Sequence, residues 1–87
     1  MEKLIYETAD LNIATALLTL GKRIVGINPI NPNRVVFYFD VEVQPEIPRL
    51  VENYWSNKLL VNPKDFVTNR RDLLSQVHES KRQMEKN

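Results

Sequence analysis

Residues Glu52–Phe66 read ENYWSNKLLVNPKDF, and the three at the centre, Leu59, Leu60 and Val61, decide how the chain folds. Taken as a strand, they complete the β-α-β-β-α-β order of a ferredoxin-like split, with a further helix at the C-terminus. Taken as a linker, they leave a three-stranded sheet with helices packed on one face. Both are α+β. The linker is the better fit, because so short a strand between two helices leaves little chain for turning. The expected order is therefore β-α-β-β-α-α on a small sheet with antiparallel pairing.

Upstream of this joint, Pro45 and Pro48 bracket a helix start, where a missing N–H has no intrahelical partner to lose. Ile47, Leu50, Val51, Tyr54 and Trp55 then recur at i, i+3, i+4, i+7 and i+8, which is the amphipathic helical pattern. On that spacing Tyr54 and Trp55 belong to the buried stripe and cement the second helix to the third. Their O–H and N–H edges still need partners, and these edges could meet a ligand. Downstream, Asn62 caps and Pro63 takes the first helical position, with Asp65 placed as a capping-box acid. The third helix is expected from Pro63 toward residue 84, with Phe66, Val67, Leu73, Leu74 and Val77 on its apolar face and Arg70 inside that stripe. Residues 1–77 form one domain, and residues 78–87 a polar helix end or tail.

Toward the N-terminus, Leu4–Tyr6 is a candidate first strand. Thr8 or Asp10 can cap a helix over residues 9–20 that carries Ile13, Leu17 and Leu20, and Gly21 supplies its stop. Lys22–Ile27 (KRIVGI) and Arg34–Asp40 (RVVFYFD) read as strands. Between them the two Asn-Pro pairs of Asn28–Asn33 (NPINPN) predict a hairpin with a six-residue loop. In the second of these strands Val35, Phe37 and Phe39 share one face. Val36 and Tyr38 share the other, which is unusually apolar for a solvated surface.

The 87-residue chain carries 43% hydrophobic and 26% charged residues with a net charge of +1, values that exclude intrinsic disorder and a strongly basic nucleic-acid binder. Residues 1–57 hold five basic and seven acidic side chains and residues 58–87 hold seven and four, so the halves carry −2 and +3. With no cysteine, disulfides and thiolate metal sites are impossible, and the expected compartment is the cytoplasm. No segment reaches the ~20 apolar residues of a membrane span.

Catalysis finds little support. His78, the single histidine, has neither a nucleophile nor a partner at suitable spacing. Asp40 and Glu42 alternate at a strand end, as exposed acids commonly do. The expectation is therefore no enzyme: no catalytic or metal-binding residues, no cofactor and no small-molecule substrate. An interaction module is the leading expectation, binding a protein partner or a second copy through Val36, Tyr38, Ile30 and an edge of Trp55. The alternative is nucleic-acid binding through Arg70, Arg71, Lys81 and Arg82 of the third helix, aided by the sheet aromatics.

The stretches YETADLNIATALLTLGKRIVGI, RVVFYFD and NYWSNKLLVNPKDFVTNRRDLL together resemble a family of small, functionally uncharacterised proteins of bacterial, archaeal and phage genomes. The resemblance spans residues 4–76. It implies a compact α+β domain, often linked to mobile elements, with no established activity and no catalytic residues to carry over. Tyr54, Trp55, Val61, Pro63 and Phe66 match that family's joint between the second and third helices. The NPINPN segment and the charged residues after Val77 look particular to this member.

Overall fold

A computed structural model describes residues 4–85 of the chain. The order is β1 (Ile5–Thr8), α1 (Leu11–Thr19), β2 (Ile24–Asn31), β3 (Arg34–Asp40), α2 (Ile47–Trp55) and α3 (Pro63–Glu85). The three strands form one antiparallel sheet in the order β1-β3-β2. Leu59–Val61 is not a strand: it crosses from α2 to α3 as a linker without regular secondary structure, so the sheet has no fourth member among the described residues.

Local chemistry sets the ends of the helices. The Asp10 carboxylate accepts from the backbone N–H groups of Asn12 and Ile13 at 2.8 and 3.1 Å, satisfying donors that the first turn of α1 cannot pair internally. At the other end Gly21 adopts φ +86°. Its N–H donates to Leu18 and that of Lys22 to Leu17, the paired bonds of a Schellman stop. α2 ends by the same device: Asn57 takes φ 60°, its N–H donates to Tyr54, and the Lys58 N–H donates to Asn53. Asn62 then caps α3, its side-chain oxygen accepting from Lys64 and Asp65 at 3.0 Å each.

The core lies on one face of the sheet. Phe37 and Phe39 of β3 are 2% and 0% exposed and meet Ile13, Ala14 and Leu17 of α1, Ile47 of α2, and Leu73 and Val77 of α3. Burial of each large side chain is worth about 1.5–3 kcal/mol. The three helices thus hold one side of a sheet whose central strand supplies the aromatics. Thr15, fully buried in α1, satisfies its hydroxyl by donating to the Leu11 carbonyl at 2.7 Å.

The hairpin departs from the six-residue loop expected of NPINPN. β2 runs on to Asn31, leaving only Pro32 and Asn33 as the turn, and the Asn33 N–H donates to the Asn31 side chain at 2.8 Å. Proline is tolerated here because β2 is an edge strand, where a missing donor need not break the ladder. The register shifts between Ile24 and Gly26, and again between Pro29 and Asn31, making Val25 and Ile30 the extra residues of two bulges. Gly26, set in the first irregularity, admits the Tyr38 ring: a Cβ there would lie 3.3 Å from Tyr38 Cδ2. The ring covers a position with no side chain of its own.

Candidate interaction surface

The large apolar side chains left exposed fall into two groups. Leu4, Ile5, Val25, Ile30 and Val43 surround the sheet, whereas Trp55, Leu60 and Val67 lie at the joint of α2, the linker and α3. The second group holds Leu60, at 86% the most exposed of these residues, and Trp55 at 66%, just behind Val43 at 68%.

Trp55 corrects the expectation of a buried aromatic pair. At about 100° per residue, Tyr54 lies about 20° from Ile47 around α2 and Trp55 about 80°. Tyr54 accordingly packs half-buried against the core, while Trp55 stands at the margin of the stripe on the last helical residue. The two rings meet edge to face, with centroids 5.2 Å apart and planes at 80°, an arrangement that favours the positive edge of one ring against the face of the other. Beneath them the linker alternates. Leu59 and Val61 turn inward and, with Ala16, Tyr54, Asn57 and Phe66, line a cleft of about 240 Å³; Leu60 turns outward. Val67 repeats the pattern of Trp55, about a quarter turn from Phe66 and exposed.

The sheet-face candidates are less available. Val36, opposite Asn28 on β2, is only 7% exposed, and Tyr38 is half-buried over Gly26 with its hydroxyl 3.4 Å from the Asn28 amide nitrogen. Ile30 is 48% exposed, as a bulge residue of β2 rather than the tip of a loop. Val36, Tyr38, Ile30 and Trp55 therefore do not form one patch by secondary structure: three belong to the hairpin and one to the end of α2.

The cations of α3 divide as well. Arg70 Nε donates to the Asn12 side-chain oxygen at 3.0 Å, tying α3 to the start of α1, and Asn69 ties it to Thr19 at 3.1 Å. Arg82 pairs with Glu79 at 3.5 Å one turn away. Arg71 is exposed, and Lys81 is half-buried beside Leu11, Val35 and Val77. Asp40, the strand-end acid, is 4% exposed and accepts from the Val43 N–H at 3.3 Å. Nearby, Gln44 clasps the Arg23 backbone, accepting from its N–H at 2.6 Å and donating to its carbonyl at 3.1 Å. Among the described residues no group of three or more His, Cys, Asp or Glu could hold a metal ion, and no helix is long and apolar enough to cross a membrane.

A family model described as a domain of unknown function, DUF5659, matches residues 3–78, and the chain belongs to that family. Neither the curated proteins nor the solved structures contain a match to it.

Proposed function

We propose that this member of the DUF5659 family is a non-enzymatic interaction module that docks a protein partner on the α2–α3 joint. The observation that carries this reading is the exposure of Trp55, with Leu60 and Val67 exposed on the adjoining linker and second turn of α3. Tryptophan is among the residue types that most often dominate binding energy in protein interfaces. The joint is also held in place: the left-handed Asn57 stop and the Asn62 cap fix both ends of the linker, so little conformational entropy remains to be lost on binding. The absence of cysteine supports a reducing, cytoplasmic setting. The family resemblance supports a phage or mobile-element context.

Nucleic-acid binding through Arg70, Arg71, Lys81 and Arg82 has less support, because Arg70 and Arg82 already have partners within the chain. The test is a paired capture from lysate of the parent cell, using the wild type, Trp55→Ala and Val43→Ala, with folding matched by circular dichroism. A protein retained by the wild type and Val43→Ala but lost with Trp55→Ala supports the joint as its docking site. Three identical captures refute it. A captured species that is nucleic acid, released steeply by salt, transfers the function to α3.

A further inference from the structure

The two edges of the sheet are built differently. On β2 the bulges at Val25 and Ile30 and the proline at position 29 interrupt the row of backbone groups, devices that prevent another strand from pairing there. β1 has none of these. Its four residues pair with β3 in unbroken register from Ile5↔Asp40 to Thr8↔Phe37, and among the described residues no strand pairs with its other side.

The direction of its backbone groups follows from one further bond. The Val41 N–H donates to the Leu4 carbonyl at 2.9 Å, so Leu4 aims at the β3 side. By antiparallel alternation Tyr6 and Thr8 do likewise, and Ile5 and Glu7 turn both N–H and C=O outward. These outward groups have no protein partner among the described residues. The side chains of Ile5 and Glu7 lie on the sheet face opposite the core, Glu7 across from Tyr38, while Tyr6 packs on Phe39 in the core with ring centroids 6.3 Å apart.

We propose that two copies of the chain pair antiparallel through β1, with the twofold axis at Tyr6, joining two three-stranded sheets into one of six strands. In that register Ile5 of each copy faces Glu7 of the other, and the outward groups form four hydrogen bonds. Sliding by two residues one way sets Glu7 against Glu7, like charges directly opposite. Sliding the other way sets Ile5 against Ile5 and keeps only two bonds between residues of β1. The Tyr6 register is the one that satisfies every outward group without opposing two charges. A strand pair of this length buries less than the ~1,000 Å² of a stable interface, so the dimer is weak and reversible.

The test is light-scattering mass across a concentration series of the full chain, with two variants. Wild type moves from monomer to dimer as concentration rises. Glu7→Pro removes one outward donor and no internal one, as an edge strand tolerates, and remains monomeric with an unchanged far-UV spectrum. Should that variant not fold, cysteine pairing decides the matter, because the chain has no cysteine of its own. Mixed Ile5→Cys and Glu7→Cys proteins then oxidise to the mixed disulfide dimer several-fold faster than either protein alone forms its own. Wild type that stays monomeric up to about 1 mM, or cysteine pairs that form without preference, overturns the proposal.

Discussion

Ile47 and Trp55 open and close the same nine-residue helix, and both belong to the apolar stripe that its sequence spells out. Ile47 is fully buried against Phe37 and Phe39, whereas Trp55 is 66% exposed. The pattern is shared; what lies opposite is not. The first turn of α2 contributes Ile47 to the centre of the core, where β3, α1 and α3 also converge. Its last residue lies past that centre and toward the margin of the stripe, its ring edge to face with the neighbouring Tyr54. A helical stripe therefore says which side faces inward, and the reach of the facing core says how much of that side is covered.

The strongest way to break this contrast is to truncate the buried end. Ile47→Ala should cost about 2–5 kcal/mol in chemical denaturation, because the surrounding core cannot close fully around the lost volume. In a domain with about 5–15 kcal/mol of total stability, that is a large share. A loss under 1 kcal/mol would mean that α2 is not anchored through Ile47. Next in size are the two residues that hold the joint between the contrasting parts. Asn62→Ala should cost about 1 kcal/mol by leaving the first N–H groups of α3 uncapped, and Asn57→Ala about 1–2 kcal/mol because alanine resists the left-handed conformation. Each appears as a lowered melting temperature, roughly 4–8 °C per kcal/mol in a chain of this size.

How far the sequence discloses this depends on whether the governing interaction is local. Asp10, Gly21 and Asn62-Pro63 act on neighbours within a few residues, and α1 and α3 start or stop where those residues stand. The alternation of Val35, Phe37 and Phe39 puts them on one face, and that face carries the core. NPINPN was misread because two Asn-Pro pairs favour a turn locally, whereas the strand position that tolerates Pro29 depends on β2 being an edge, a property of the whole sheet. Trp55 was misread for a related reason. Its angular position at the rim of the stripe was computable, as was that of Val67, but the extent of the opposing core was not. Arg70 lies well inside the α3 stripe yet remains exposed, because its guanidinium reaches the Asn12 side chain at the rim of α1, a contact between residues 58 apart in sequence.

The exposed end sharpens the contrast from the other side. Trp55→Ala should change stability by less than about 0.5 kcal/mol, as exposed positions usually do, while abolishing partner capture. A cost of 3 kcal/mol or more would place the ring in the core after all. The smallest effect concerns the entry to α2. A hydrogen bond from its own backbone N–H, and then Lys22 at 3.4 Å, hold the Glu46 carboxyl below its usual range. A carboxylate lowered in the folded state contributes stability at pH values above its unfolded pKa, and this is lost as pH falls through the lower folded value. The Glu46→Gln variant should therefore show a slightly flatter loss of stability on the acid side than wild type. Identical acid profiles would remove Glu46 from the entry to α2.

The most direct measurement uses Trp55 itself, since it is the only tryptophan in the chain. Its fluorescence should be quenched by acrylamide in the native protein nearly as efficiently as free tryptophan, with emission that shifts little on unfolding. Emission that is shielded from the quencher and moves to longer wavelength only when the protein unfolds would put Trp55 in the core and contradict a free joint between α2 and α3.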